Sequence, residues 1–186
     1  QLVGSGKHRW GHVLEIGSGP YSQVLPMLRE VNQSETVESI TLVDPLIDMY
    51  LQHVKGVPFR EQRTFGPRNR PIHLVKAAAE EAQYLLRDAG YDTVVMLNVI
   101  EHCLNAWEVM QVLYSKLKPG GVLVFHEYTY DYRGFISDLG HPIKLRKPAL
   151  EKFLAHFHEV FRKDFDRAED YSHTAGIYYI GIKPFG

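Results

Sequence analysis

The chain predicts an α/β fold built on a doubly wound, mainly parallel sheet, and two observations carry this. Strand-like and helix-like segments alternate along the 186 residues. Two early strand-like runs also carry acids at or near their ends. His12-Val13-Leu14-Glu15-Ile16 runs into the turn Gly17-Ser18-Gly19-Pro20, and Ile40-Thr41-Leu42-Val43 runs into Asp44. In such sheets ligands bind outside the carboxyl ends of the strands. Two acids and two glycines placed there point to a pocket for a nucleoside-containing cofactor.

The remaining elements follow in order. After the glycine turn, 23–31 reads as a helix, with Pro26 tolerated near its first turn. Residues 39–44 form a second strand and 46–54 a short helix. The stretch 55–71 carries Gly56, Pro58, Gly66, Pro67 and Pro71 and reads as a loop. A third strand occupies 72–75, and 80–87 is helical, closed by Gly90. Residues 93–97 form a fourth strand, apolar enough to be buried on both faces. Ala106, Val109, Met110, Leu113 and Leu117 recur at helical spacing. Lys118-Pro119-Gly120-Gly121 stops that helix and turns the chain into a fifth strand at 122–125. Residues 129–147 are irregular. A helix is predicted over 148–161, with Pro148 suited to its first turn. A weak strand near 163–167 and a strong one at 177–182 complete the chain.

Composition sets the outer bounds. Hydrophobic residues at 45% and charged residues at 23% fit an ordinary globular domain, expected to span 1–186 as one unit. A net charge of -1 provides no global steering toward nucleic acid or an anionic membrane. Cys103 is the one cysteine, which excludes an intrachain disulfide and fits a reducing, cytoplasmic setting. No apolar run approaches the roughly 20 residues a spanning helix needs, and no signal-peptide pattern opens the chain.

The acid before the turn discriminates between cofactors. A dinucleotide site places a pyrophosphate against a Gly-x-Gly-x-x-Gly turn. Here the register gives Gly17, Gly19 and then Ser22, and Glu15 would sit badly beside a pyrophosphate. A carboxylate favours a cationic group instead, such as an amino-acid ammonium. Asp44 at its strand end can accept two donors at once; it equally suits the cap of the helix after Pro45. His102 and His126 are candidate general bases, since imidazole titrates near neutrality. The loop from 55 to 70 carries Lys55, Arg60, Arg63, Arg68 and Arg70 against Glu61, which suits either an acidic substrate or a solvated surface. Tyr128, Tyr130, Tyr132 and Phe135 suit a substrate lid or plain packing. The histidines show no tight metal-ligand spacing; His156 and His158, two apart on a predicted helix, point in different directions.

Glu15-x-Gly17-x-Gly19 resembles the first motif of class I S-adenosylmethionine-dependent methyltransferases (type 11/12-like domains). The resemblance covers about residues 12–183 and implies a Rossmann-like, seven-stranded sheet whose last strand is antiparallel. It implies S-adenosylmethionine as cofactor, with Glu15 near the methionine ammonium and the turn Gly17-Ser18-Gly19 letting the backbone approach. Asp44, followed by Pro45, would hold the ribose. Ala79 and Glu80 would meet the adenine, with Ala78 standing where the family often has Asp. Leu97 and Asn98 would line the methyl-donor end, ahead of the pair Glu101-His102. Tyr21 takes the place of a further family glycine, and little chain precedes the first strand for the N-terminal helix that often covers the cofactor. Some relatives bind a cation through Glu-x-x-Glu-His. Asn98 stands where the first Glu would be, and hard cations prefer oxygen ligands, so no metal is expected.

The reaction so implied is in-line displacement at the sulfonium methyl, driven mainly by proximity and orientation. A base is needed only when the nucleophile arrives protonated. The acceptor is unidentified, a small molecule being favoured over nucleic acid. Two other classes stay open at this point. A nicotinamide-dependent oxidoreductase is disfavoured by Glu15 and the missing third glycine. A non-catalytic binding or partner subunit draws support from Ala78, Tyr21 and the short N-terminal stretch.

Overall fold

The computed structural model describes residues 9–130, 140–166 and 175–185. Thirteen main elements follow one another: β1 (Gly11–Ile16), α1 (Val24–Glu30), β2 (Val37–Val43), α2 (Ile47–His53), β3 (Thr64–Phe65), β4 (Arg70–Val75), α3 (Ala82–Leu85), β5 (Tyr91–Leu97), α4 (Ala106–Lys116), β6 (Leu117–Thr129), α5 (Lys147–Leu154), β7 (His158–Asp166) and β8 (Ala175–Ile182). The strands form one sheet in the order β3-β4-β2-β1-β5-β6-β8-β7. β1 runs parallel to both β2 and β5, β2 parallel to β4, and β5 parallel to β6. The chain first builds outward from β1 through β2 to β4, then returns to β5 on the other flank. This reversal leaves a crevice at the carboxyl ends of β1 and β5.

Side-chain parity divides the core. Leu14, Ile16, Val94, Met96, Leu123 and Phe125 face α4 and α5, in a buried cluster with Val109, Leu113, Leu150 and Phe153. Val13, Ile40, Leu42, Ile72 and Val95 face the opposite side, packed with Val24, Leu25 and Leu28 of α1. The central strands are thus covered on both faces, as their near-continuous apolar runs require. Asn105 caps α4, its side chain accepting from the Trp107 and Glu108 N–H groups. No helix among the described residues is long and apolar enough to cross a membrane.

Four expectations need correction. The described sheet has eight strands rather than seven. The extra one is β3, a two-residue strand antiparallel to β4, which returns through a turn with Gly66 at φ +70 and Asn69 at φ +51. Two residues are too few to show a period-2 pattern, so 64–65 read as loop. The predicted 80–87 helix shrinks to Ala82–Leu85 because the buried Lys116 ammonium takes the Gln83 and Leu86 carbonyls, each at 2.8 Å. Lys118-Pro119-Gly120-Gly121 lies inside the long strand β6 rather than in a turn before it: Gly120 N–H donates to Lys183 and Lys183 N–H donates to Gly121. Finally, the helix predicted over 148–161 ends at Leu154, and the chain is strand from His158 onward. Pairing of β7 along β8, Phe161 opposite Ile180 and Phe165 opposite Gly176, overrides the helical spacing there. Tyr132 and Phe135 of the suggested lid lie outside the described residues.

The basic loop is largely engaged with its own protein. Arg68 pairs with Glu35 at 2.9 Å and Arg70 with Glu38 at 3.0 Å. Arg60 donates to the carbonyls of Tyr50 and Val54. Arg70 thus ties β4 to β2, Arg68 ties the β3–β4 turn to the segment before β2, and Arg60 ties the loop to the end of α2.

Candidate cofactor site

A cavity of about 550 Å³ opens at the crevice, a volume typical of small-molecule and cofactor sites. Three walls meet there: the glycine turn after β1, the Asp44 corner after β2, and the segment after β5. The stretch Ala77–Glu80 after β4 adds a fourth side. Of the residues predicted to hold cofactor, Gly17, Gly19, Asp44, Pro45, Ala79, Glu80 and Asn98 line this cavity; Glu15, Ser18 and Leu97 do not. Leu46, Tyr50, Val99, Cys103 and Leu104 line it without having been singled out from sequence. They are ordinary apolar or aromatic residues whose place follows only from the turns around them.

The turn is built by backbone geometry. Gly17 (φ +71) and Gly19 (φ +58) occupy the left-handed region, which glycine enters without steric cost. The two differ in surroundings. A Cβ on Gly17 would stand 2.3 Å from Val99 Cγ2, whereas one on Gly19 would meet no protein atom within 4 Å. Gly17→Ala is therefore expected to lose more stability in urea denaturation than Gly19→Ala. The latter bears only the roughly 1–2 kcal/mol of backbone strain and fills space on the cavity side. Equal losses would show that Val99 moves aside freely.

Glu15 shares the β1 face of Val13 and so turns toward α1, away from the cavity. Its carboxyl accepts from Ser22 Oγ at 2.5 Å, Gln23 N–H at 2.7 Å and Val24 N–H at 3.4 Å. Burial pushes it up to about 7, against the lowering effect of those three donors. Glu15 thus lies off the cavity, where the resemblance would have it near a ligand ammonium, and here it pins the start of α1 and, through it, the far side of the turn. It also accounts for the missing third glycine. Ser22 sits at φ +55, where glycine would be the easier residue, but its hydroxyl links Glu15 to the Leu25 N–H.

Asp44 is nearly buried, and its two oxygens are separately held. One accepts from Gly19 N–H and the other from Leu46 N–H, both at 2.9 Å. The carboxylate thereby ties the glycine turn to its own corner, and it also takes a hydrogen bond from the Tyr50 hydroxyl. The Tyr50 phenol beside it is raised, first by burial and then by the Asp44 charge. Glu80 accepts from the Leu104 and Asn105 N–H groups at 2.8 and 3.0 Å. That carboxylate therefore joins two walls of the cavity.

The segment after β5 carries the polar end. Asn98 adopts φ +60 and donates its N–H to the His126 carbonyl at 2.8 Å. Asn98 lines the cavity, while its side-chain Oδ1 is buried away from solvent with no protein partner. The segment is held from beneath by Glu127, which accepts from the Val99 and Ile100 N–H groups at 2.5 and 2.8 Å and is pushed up to about 8 by burial. His102 lines the cavity, half exposed, with Nδ1 2.8 Å from the Gly140 carbonyl. Cys103 also lines it, but burial, with the charges of Glu80 and Glu127, pushes its thiol up to about 12. It stays protonated and donates to the Val99 carbonyl.

His126 does not join this group. Parity along β6 places Phe125 and Glu127 on one face and His126 on the other. There its ring lies 4.3 Å from that of Tyr178, with Tyr128 and Phe165 around it, and burial lowers its pKa. The strand end Phe125-His126-Glu127-Tyr128 does supply the site, through Glu127 rather than the histidine.

Among curated proteins none matches the chain. Solved structures with the same fold are numerous. The YcgJ protein of Bacillus subtilis is 12% identical, with a TM-score of 0.67 over all of this chain and 97% of its own. The N-methyltransferase NodS of Bradyrhizobium japonicum, solved with S-adenosylhomocysteine, is 16% identical, with a TM-score of 0.63 over 99% of this chain and 83% of its own. A 1,6-didemethyltoxoflavin-N1-methyltransferase of Burkholderia thailandensis, solved with that compound and S-adenosylhomocysteine, is 17% identical, with a TM-score of 0.59 over 94% of this chain and 71% of its own. These likenesses establish the Rossmann-like fold. The family model described as a methyltransferase domain matches residues 5–169, and the chain belongs to that family, the class I S-adenosylmethionine-dependent methyltransferases.

Proposed function

We propose that the enzyme transfers the sulfonium methyl of S-adenosylmethionine to a small-molecule acceptor, which enters at the Asn98–His102 side of the cavity, and that residues 1–186 act as one domain. The observation that carries this is the single cavity joining the glycine turn, Asp44, Ala77–Glu80 and Asn98. Asp44 accepts from the ribose hydroxyls. Asn98, a residue of the cavity wall whose Oδ1 has no protein partner, turns its amide to accept from the methionine ammonium, the role that the sequence suggested for Glu15. Ala79 and Glu80 flank the adenine end. The methyl then points toward His102, and transfer needs only an acceptor held in line.

A small acceptor fits the engaged state of the basic loop. Arg60, Arg68 and Arg70 already bond to carbonyls or carboxylates of the protein, which leaves this loop less free to receive a nucleic-acid backbone. Calorimetric titration with S-adenosylmethionine, S-adenosylhomocysteine and NADH tests the assignment. Micromolar binding of the first two and none of NADH is expected. Failure to bind S-adenosylhomocysteine would overturn it.

A further inference from the structure

The sequence placed Glu101 and His102 together and left His141 unremarked. The structure brings all three to one point at the cavity edge. Glu101 Oε1 lies 3.7 Å from His102 Nε2 and 3.8 Å from His141 Nε2. One ligand-capable atom from each residue falls within 4.8 Å of the other two. Separations of 3.7 and 3.8 Å are too long for hydrogen bonds. They are close to the roughly 3.4 Å between ligands arranged tetrahedrally at about 2.1 Å from a metal. We propose that Glu101, His102 and His141 bind one divalent transition-metal ion, which holds and activates a hydroxyl of the methyl acceptor; this role rests on the methyl-transfer reading above, while the binding site itself does not.

The surroundings orient each ligand atom. The Tyr130 hydroxyl donates to Glu101 Oε2, which turns Oε1 toward the two imidazoles. A carbonyl can only accept, so the Gly140 carbonyl fixes the proton on His102 Nδ1 and leaves the Nε2 lone pair facing Glu101. Metal-bound imidazoles are held in this way, through the nitrogen that does not touch the ion. The segment bearing His141 is anchored on both sides: Ile143 N–H donates to the Glu101 carbonyl and Tyr130 N–H to that of Leu145. The His141 side chain is about one-third exposed. Glu101 is 2% exposed, and a buried carboxylate is stabilised by a bound cation.

The ligand set chooses the ion. Two imidazoles and one carboxylate suit Zn²⁺, Fe²⁺, Co²⁺ or Mn²⁺, whereas Mg²⁺ and Ca²⁺ prefer oxygen throughout. The expectation of no metal weighed the carboxylates that a hard cation wants, a pattern that Asn98 does break, and the local spacing of the histidines, which says nothing of His141 so far along the chain from His102. Three protein ligands leave at least one coordination position open, and His102 puts it beside the cavity. An acceptor hydroxyl bound there loses its proton to solvent more readily. The resulting oxyanion attacks the sulfonium methyl; a C–O bond forms as the C–S pair returns to sulfur, giving a methyl ether and S-adenosylhomocysteine.

The test titrates chelator-treated full chain with Co²⁺, following visible absorption, and measures S-adenosylhomocysteine affinity on the same samples. One Co²⁺ per chain is expected, displaced by Zn²⁺ but not by equimolar Mg²⁺. His141→Ala should weaken Co²⁺ binding by more than about 100-fold and Tyr130→Phe, which alters only an orienting contact, by about 10-fold. S-adenosylhomocysteine affinity of His141→Ala should stay within about twofold, because binding the nucleoside does not use that ring. Absent Co²⁺ binding, or binding indifferent to His141→Ala, overturns the metal site while normal S-adenosylhomocysteine binding leaves the cofactor assignment standing. Co²⁺ binding without S-adenosylhomocysteine binding supports the site and overturns the role given to it.

Discussion

Asp44→Ala is expected to lower affinity for S-adenosylhomocysteine by about 100-fold, equivalent to roughly 3 kcal/mol. A hydrogen bond to a charged group contributes about 1.5–3 kcal/mol, and Asp44 is placed to accept from two ribose hydroxyls. The substitution also removes the acceptor of the Gly19 and Leu46 N–H groups, so the turn itself loosens. Asp44→Asn separates these effects. It keeps one oxygen and the shape of the side chain, so the corner stays folded and about a tenfold loss is expected. Calorimetry on both variants, with circular dichroism to confirm folding, is the measurement. Affinity within about threefold of the parent in both would remove Asp44 from the ribose.

The second large effect concerns stability and pH. Glu15 is raised to about 7 in the native chain from an ordinary 4.5. Between those values the folded protein keeps a proton that the unfolded chain has lost. Stability from this group is therefore full below about pH 4.5 and falls as pH rises toward 7, with a limiting slope on the order of 1 kcal/mol per pH unit. Glu127, raised to about 8, acts in the same direction over 4.5–8. His126, lowered by burial, acts in the opposite direction below its ordinary 6.5. Glu15→Gln resembles the protonated acid and should flatten the decline measured by urea denaturation between pH 5 and 7. Glu15→Ala should instead cost about 1–3 kcal/mol near pH 5, because Gln23 and Val24 lose their acceptor, and less toward pH 7, because it also lacks the titrating group. A parent and a Gln variant with the same pH slope would mean Glu15 is ionised in the native state.

What the sequence disclosed and what it withheld follow from the range of the interactions involved. Strands β1, β2 and β5, the glycine turn and the Asp44 corner were legible because their signals are local: apolar runs, φ-permissive residues and an acid at a strand end. The part played by Glu15 was not. A carboxylate beside a glycine turn can face a ligand or a helix, and only the packing of α1 on the Val13 face decides which. His126 and Glu127 were adjacent and equally polar; parity along β6 sent the histidine into an aromatic cluster and the glutamate under the site. His141 had no local signal at all. It belongs to an aperiodic stretch and meets Glu101 only because backbone bonds from Ile143 and Tyr130 fold that stretch back. Lys116 shows the same limit for secondary structure: its ammonium, from another helix, removes the carbonyls on which a longer α3 would depend.

The placement of β8 has a consequence for how the molecule is made. Residues 175–182 pair antiparallel with Val122–Thr129 on one side and with β7 on the other. Until residues 175–182 leave the ribosome, both neighbours present open hydrogen-bonding edges, the arrangement that invites pairing between chains. The outer half of the sheet is thus completed by a late insertion across a long sequence separation, a slow class of event in folding. A pause or cleavage just upstream of Ala175 would leave an assembled cofactor crevice on a body prone to self-association.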